Sequence, residues 1–232
     1  MLIDKLPVLR GANLVLASGS PRRKEILNDV LGLDVQVVPS TFAEDLDKST
    51  FTPASYVQEN ARIKALEVWA QLRGTADAAS VPDLVIGGDT VVSLDGSILE
   101  KPRDREHAIS MLGGLSGSTH KVYSGVALVY RRPGAAPGAE PSVLCFAEET
   151  DVTFAPLSSE TIAAYVDSGE PMDKAGGYGI QAAGGQFVSG ITGCFYNVMG
   201  FPMHRFAAEL VRLLERNEIA LSGGGAADDA AA

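Results

Sequence analysis

The sequence predicts an α/β fold, and three observations support this. Short apolar runs bounded by polar residues or glycine, such as Leu14–Ala17 and Leu84–Gly87, are typical of buried strands. They alternate with segments whose apolar residues recur at helical spacing, the longest over residues 53–72. Two longer strand candidates, residues 122–130 and 143–154, flank a Pro/Gly-rich connection and predict a hairpin. Alternation of strands and helices places the chain in the α/β class.

The first elements follow from their apolar faces and turn residues. A helix follows the Leu14–Ala17 strand, with Ser20 suited to its N-cap and Pro21 to its first position. Its apolar side is formed by Ile26, Leu27, Val30 and Leu31. A short strand is predicted at 35–38.

Further elements alternate up to the glycine-rich part of the chain. After the helix over residues 53–72, the Leu84–Gly87 strand continues as an extended segment from Thr90 to Leu94. Asp95-Gly96 forms a two-residue turn into a short strand at residues 98–99. Helices are predicted at residues 104–115, 158–167 and 202–216, and a glycine-rich region at 175–193. Residues 10–217 are predicted to form the domain, and residues 218–232 a disordered low-complexity tail.

Composition excludes several classes of protein. The 232 residues are 46% hydrophobic and 21% charged, which is ordinary for a globular domain. A net charge of −10 argues against general nucleic-acid binding, which needs a basic face. The two cysteines form no disulfide framework or zinc motif, and no signal peptide or membrane span is evident. A cytoplasmic protein with no nucleic-acid or membrane partner is predicted.

The segment Ala17–Lys24 predicts an anion site. A strand, a small-residue turn and a helix start bring free backbone amides together, and three cations follow in the first turn. The N-terminal end of a helix favours anions, so the helix dipole does not explain three cations there. A bound anion would explain them. A solvated basic turn is the alternative explanation.

Two charged residues interrupt otherwise apolar patterns. Lys64 lies on the inward face of the 53–72 helix, either snorkelling to its edge or binding a phosphate. Asp89 lies where a strand should be apolar, so it is either paired, metal-bound or catalytic, or it caps a turn after Gly87-Gly88.

A glycine-rich segment, residues 168–181, carries Asp173 beside Lys174 and indicates backbone close to a ligand, or else a flexible surface loop. Lys101 is a further cation candidate, and Glu44 a metal-ligand candidate; solvent exposure is the simpler explanation for each. No P-loop, GxSxG or HExxH motif occurs. A carboxylate with several cations suits phosphoryl or nucleotidyl chemistry without a covalent intermediate.

Six motifs follow one another along residues 14–214. They are Ala17-Ser18-Gly19-Ser20-Pro21-Arg22-Arg23, Glu59-Asn60-Ala61 with Lys64-Ala65, Gly88-Asp89-Thr90-Val91-Val92, Glu100-Lys101-Pro102, Leu115-Ser116-Gly117 with His120, and Asp173-Lys174-Ala175-Gly176-Gly177-Tyr178-Gly179-Ile180-Gln181. In this order, the motifs resemble the Maf family of nucleoside triphosphate pyrophosphatases, and the segment from Ser168 to Gln181 resembles its eukaryotic members.

The resemblance implies an elongated mixed-sheet fold like that of inosine triphosphate pyrophosphatases, with the nucleotide in a cleft between two lobes. It implies hydrolysis to a monophosphate and pyrophosphate with a divalent cation, Mg²⁺ or Mn²⁺. Asp89 would accept the proton of the attacking water or hold the metal, which Glu44 would also ligate. The substrate-binding positions would be Ser18, Ser20, Arg22, Arg23, Lys64, Thr90, Lys101, Asp173, Lys174 and Gln181.

Arg22, Thr90 and Gln181 resemble the dTTP/UTP branch of the family, whereas the 7-methyl-GTP branch has Trp, Gln and Glu at these places. The resemblance therefore implies dTTP, UTP or modified pyrimidine nucleotides as substrates, and family members are often homodimers. A nucleotide-sensing regulator of cell division that does not turn over its ligand is the alternative function.

Overall fold

The computed structural model describes residues 1–74, 81–136 and 139–222. A mixed sheet forms its centre and confirms the predicted α/β class. Its strands are β1 (Leu14–Leu16), β2 (Val35–Val37), β3 (Leu84–Leu94), β4 (Ser97–Leu99), β5 (Thr119–Tyr130), β6 (Ser142–Phe154) and β7 (Val188–Thr192). The strand order is β2-β1-β3-β5-β6-β7, with β4 also paired to β3.

The long strand β3 is the axis of this sheet. Along one edge it pairs antiparallel with β5 from Leu84 to Ser93. Its other edge is shared by β1, parallel at Leu84–Ile86, and β4, antiparallel at Val92–Leu94. Between these two partners, residues 87–91 have no strand neighbour on that edge within the described chain. Asp89 lies in the middle of this gap.

Helices cover both faces of the sheet. They are α1 (Leu6–Leu9), α2 (Pro21–Glu25), α3 (Pro53–Arg73), α4 (Arg105–Leu115), α5 (Ser159–Asp167), α6 (Phe195–Met199) and α7 (Met203–Glu215). One face packs against α3 through Ala61, Ala65, Val68 and Trp69. On the opposite face, α7 and the residues Ile26 and Leu27 that follow α2 pack over the β1 end of the sheet, and α4 and α5 pack over the other end. The apolar side chains packed at these two ends of the sheet form the cores of the two predicted lobes.

Local sequence signals explain how three of these helices begin. The Thr52 and Ser55 side chains form a reciprocal capping box at the start of α3. Asp104 and Ser158 accept hydrogen bonds from backbone amides at the starts of α4 and α5. Ser20 is the N-cap residue of α2, as predicted, although its side chain makes no capping hydrogen bond.

The structure corrects several expected boundaries. The helix after β1 is short and continues as a π-helical turn, Ile26–Val30, which leaves Val30 46% exposed although it was expected to face inward. The segments on either side of Gly87-Gly88 form one strand, and β7 and α6 lie where no regular structure was expected.

The predicted tail and hairpin tip are only partly described. Residues 218–222 pack against the domain: Ile219 is buried, and the Ser222 amide donates to Asp83 at 2.9 Å. The tail therefore does not begin at 218. Residues 223–232, and residues 137–138 of the predicted hairpin tip, lie outside the described residues. Among the residues that are described, no helix is both long and apolar enough to cross a membrane.

Candidate active site

A cavity of about 700 Å³ opens at the uncovered edge of β3. Its walls come from the β1–α2 turn, β3, α3, the segment after β4, the glycine-rich segment and the end of α6. Every residue predicted to bind substrate or metal lines it: Ser18, Ser20, Arg22, Arg23, Glu44, Lys64, Asp89, Thr90, Lys101, Asp173, Lys174 and Gln181.

The alternation of side chains along β3 determines to which face of the sheet each side chain points. Val85 packs on the α3 side of the sheet, so Asp89, four residues later, points to that side too. Thr90 points to the opposite side, where its hydroxyl contacts Arg23 and the Gly200 carbonyl. Because the edge between β1 and β4 is open, groups from both faces reach one cavity.

Asp89 is held by two side chains of α3. It is 6% exposed. One carboxylate oxygen, Oδ2, accepts a hydrogen bond from Asn60 Nδ2 at 3.0 Å, and the other, Oδ1, accepts one from Lys64 Nζ at 2.9 Å. Asp89 is therefore a paired buried carboxylate and not a turn cap.

Lys64 joins two acidic side chains. Its ammonium lies 2.9 Å from Asp89 Oδ1 and 2.9 Å from Glu44 Oε1, and its side chain is only 8% exposed. The snorkelling alternative is wrong, because the charged group is buried and paired. Glu44 adopts a left-handed backbone with φ of 57°, a conformation that costs a residue with a side chain about 1 kcal/mol or more. Such strain is typical of functional sites.

Arg23 is buried and links three segments of the chain by hydrogen bonds. Its guanidinium donates to Ser18 Oγ at 2.9 Å, Thr90 Oγ1 at 3.0 Å and the Gly200 carbonyl at 3.0 Å. Burial lowers its pKa, partly offset by the negative charge of Asp89. Arg23 thus joins the β1–α2 turn, β3 and the end of α6, and the hydrogen bonds it donates go to the protein.

The cations at the rim of the cavity make fewer contacts with the protein than Arg23 does. Arg22 Nη1 lies 3.5 Å from Asp173 Oδ2, and the Lys174 ammonium contacts Asp173 at 2.6 Å. Burial raises the pKa of Asp173, but the hydrogen bond from Lys174 and the nearby Arg22 charge outweigh it, so the pKa is lowered overall. Lys101 and the exposed Gln181 also face the cavity.

A carboxylate fixes the glycine-rich segment that carries these residues. Glu170 accepts from the Tyr165 hydroxyl at 2.8 Å and from the Ala183 and Gly184 amides at 3.2 Å. Lys174 Nζ donates to the Glu170 carbonyl at 2.6 Å. These hydrogen bonds hold the segment at both ends, and residues 176–179 within it are buried.

Two cavity-related residues carried no predicted role. Asn60 is fully buried. The feature of the sequence that could have identified it is its position one helical turn before Lys64, on the same face of α3. Glu100 lines the cavity, accepts a hydrogen bond from the Tyr56 hydroxyl at 2.7 Å and pairs with Lys48 at 2.8 Å. The only feature of the sequence that could have marked Glu100 as a cavity residue is its position next to Lys101.

The carboxylates suit a hard divalent cation. Glu44 and Asp89 each place an oxygen 2.9 Å from Lys64 Nζ, so the two carboxylates lie on either side of one ammonium group at the cavity. Within the described ranges, no cluster of three or more His, Cys, Asp or Glu residues could hold a metal by itself. Mg²⁺ commonly binds one or two carboxylates together with substrate phosphates and water, and this donor set fits that arrangement.

Comparisons with known proteins give a family match and several named relatives. The family model described as Maf-like protein matches residues 13–213. The "Probable bifunctional dTTP/UTP pyrophosphatase/methyltransferase protein" of Homo sapiens is 51% identical over 201 residues, which are 86% of this chain but 32% of the human protein. The chain thus spans about a third of that relative.

Microbial relatives match over nearly their full length. The "dTTP/UTP pyrophosphatase" of Clostridium perfringens (strain 13 / Type A) is 43% identical over 90% of this chain and 98% of its own. That of Thermococcus onnurineus (strain NA1) is 47% identical over 82% and 92%. The solved Staphylococcus aureus Ham1 protein has a TM-score of 0.40 and 14% identity over 88% of this chain and 98% of its own, which is too weak to support any inference. On the family match and these relatives, the chain belongs to the Maf family.

Proposed function

We propose that the protein hydrolyses dTTP and UTP to the monophosphate and pyrophosphate. The observation that carries this proposal is the buried Asp89, held by Asn60 and Lys64 in a cavity whose rim concentrates cations. The relatives named dTTP/UTP pyrophosphatase support the choice of substrate. The proposal also includes a housecleaning role in the nucleotide pool, a cytoplasmic location and assembly as a homodimer.

In this mechanism the rim cations hold the phosphate chain and Asp89 activates water. Arg22, Lys101 and Lys174 bind the phosphates. Asp89 takes a proton from a water molecule whose oxygen attacks the α-phosphorus. The bond from that phosphorus to the bridging oxygen breaks, and pyrophosphate leaves with the bond electrons. Lys64 keeps the Asp89 carboxylate oriented.

The charge balance of the cavity supports a divalent cation. Its lining contains five cationic and four acidic side chains, in a chain whose net charge is −10. Such a lining balances little of the charge on a triphosphate. Asp89 and Glu44 would hold Mg²⁺ or Mn²⁺, which neutralises developing negative charge on the phosphates when bound.

Product analysis tests the reaction. With Mg²⁺ and dTTP, the expected product is pyrophosphate, with one equivalent of monophosphate. Asp89→Asn should lower turnover at least about 100-fold while largely keeping nucleotide binding, since the proton acceptor is lost but the rim cations that bind the phosphates remain. Asp167→Asn, which changes an exposed aspartate away from the cavity lining, is the control. Stepwise release of orthophosphate would contradict the proposal, and binding without turnover would favour the nucleotide-sensing regulator.

We further propose that Gln181 reads the base. Its side-chain amide offers both a donor and an acceptor, which complement the O4 and N3–H edge of uracil or thymine. A carboxylate only accepts, so Gln181→Glu would leave the pyrimidine carbonyl facing an acceptor. The cost of about 1–3 kcal/mol corresponds to one to two decades in kcat/KM for UTP.

The matched control for that test is Gln186→Glu, the same chemical change at an exposed position outside the cavity lining. Activity on UTP and 7-methyl-GTP should be compared in both variants. Thr90 is a poorer test position because its hydroxyl bonds Arg23, Ser124 and the Gly200 carbonyl. An equal effect of both glutamate substitutions would remove Gln181 from base recognition.

A further inference from the structure

We infer that Asn60 is a positioning residue that fixes the orientation of the Asp89 carboxylate for attack by water. This inference rests on the proposed function and adds a residue to which no role has been assigned. Asn60 itself does not line the cavity, so it acts on the reaction only through Asp89.

The direction of the hydrogen bond supports this role. Asn60 is fully buried, and its Nδ2 lies 3.0 Å from Asp89 Oδ2. An ionised carboxylate only accepts, so the amide nitrogen must face it. Asn60 therefore presents a donor to Asp89 Oδ2 and holds that oxygen in place.

The two carboxylate oxygens are held from different points on α3. Lys64 donates to Oδ1 and Asn60 to Oδ2, and the two residues are four positions apart on one helical face. Two donors on separate oxygens prevent the carboxylate from rotating about its Cβ–Cγ bond. Lys64 alone could not do this, because its ammonium is shared with Glu44.

The helix is held close enough for this contact by two glycines. A Cβ on Gly87 would lie 2.1 Å from the Ala61 carbonyl oxygen, and one on Gly125 would lie 2.3 Å from the Val57 backbone. Only glycine at these two strand positions lets the α3 backbone approach β3 and β5 so closely. A side chain as short as asparagine can therefore reach Asp89.

The other charged and polar groups around Asp89 do not duplicate this contact. Arg23 contributes a favourable charge from α2, but its guanidinium donates to Ser18, Thr90 and Gly200. Tyr56 donates its hydroxyl to Glu100. Without Asn60, Oδ2 would lose the only hydrogen bond the described residues give it.

Steady-state kinetics of Asn60→Leu test the inference. Leucine has a similar size and no donor, so kcat should fall about 10-fold or more while KM changes less than about twofold, because no phosphate or base contact is lost. The control is Asn197→Leu. Asn197 is also fully buried, and its Nδ2 donates to Val122 and Thr150, away from Asp89. It should lose stability without a comparable fall in kcat.

A double-mutant cycle separates positioning from general structural damage. If Asn60 acts through Asp89, Asn60→Leu should lower kcat less than about twofold in the Asp89→Asn background. Additive losses in the double variant, or an unchanged kcat in Asn60→Leu, would overturn the inference. If Asn60→Leu does not fold, Asn60→Ser replaces it, because its hydroxyl is too short to reach Oδ2. Absence of pyrophosphate release by the wild type would instead overturn the proposed function.

Discussion

At the scale of single residues, the site depends on charges that would be unstable if buried alone. Asp89 and Lys64 are both nearly inaccessible, and each satisfies the other. The sequence predicts both positions, because a charge within an apolar pattern demands an explanation. It does not predict that Glu44 would share Lys64, since the loop that carries Glu44 has no regular pattern.

Sequence reasoning is weaker where a residue's role depends on distant parts of the chain. Arg22 and Arg23 are adjacent and look equivalent in the sequence. The structure leaves Arg22 at the rim and buries Arg23 against the Gly200 carbonyl, 177 positions later. Asn60 is a similar case, because its role requires the α3–β3 contact to be known.

His120 gives a pH-dependent prediction. Its ring is buried, with Nε2 2.8 Å from the Tyr178 hydroxyl, and burial lowers its pKa to about 4. In the unfolded chain it binds a proton near pH 6.5, whereas the folded protein does not until about pH 4. Stability is therefore lost as pH falls from 6.5 towards 4, by roughly 2 kcal/mol at pH 5.

Denaturant unfolding at pH 8 and pH 5 measures this contribution. Acidic groups add to the same trend, so the informative quantity is the difference between the wild type and His120→Gln. The variant should lose roughly 2 kcal/mol less than the wild type over that range. His204→Gln removes an exposed imidazole and serves as the control. An identical pH dependence in wild type and His120→Gln would contradict the prediction.

At the scale of elements, strong local signals are reliable. The α3 helix has a capping signal, a long amphipathic pattern and no internal Gly or Pro, and it forms over Pro53–Arg73 as expected. The β3 strand was predicted in two pieces, because Gly87, Gly88 and Asp89 are unfavourable in strands. Pairing with β5 along the whole segment overrides that local preference.

The missed elements are short and rely on tertiary contacts. β7 has five residues and pairs with β6 across a bulge, and α6 has five residues between Gly193 and Gly200. Neither has an apolar period long enough to be read from the sequence. The π-helical turn after α2 likewise depends on how Ile26 and Leu27 pack in the core.

Gly87→Ala tests the contact between α3 and β3. Its Cβ would lie 2.1 Å from the Ala61 carbonyl oxygen, so the helix must move away from the sheet. We expect a loss of about 3 kcal/mol in unfolding free energy, and a lower kcat because Asn60 and Lys64 move with the helix. Gly113→Ala on α4 meets no atom within 4 Å and should gain about 0.5–1 kcal/mol. Equal stability of the two variants would contradict this account.

At the scale of the whole molecule, the cavity lies between two hydrophobic cores. Ser18–Arg23 continue from the core of β1, α2 and α7, whereas Asp173–Gln181 belong to the side of α4 and α5. β3 and β5 run through both cores, which join the lobes into one domain. A ligand that fills the cavity must therefore touch both lobes.

This arrangement predicts that a nucleotide stabilises both lobes together. A non-hydrolysable dTTP analogue with Mg²⁺ at 100 times its Kd should add about 2.7 kcal/mol to stability. For a protein of this size, that corresponds to a rise in Tm of roughly 5–10 °C. Thymidine, which lacks phosphates, is the control and should give a much smaller rise at the same concentration, because it cannot contact the rim cations.

Hydrogen exchange locates the effect. With the triphosphate analogue, amides in residues 18–23 and 174–181 should both become protected, because each segment lines the cavity from a different lobe. The nucleoside should protect the segment of Gln181 more than that of Arg22, since only the base contact remains. Protection of one segment alone by the triphosphate, even with a raised Tm, would mean that the nucleotide binds to one lobe and does not bridge the cleft.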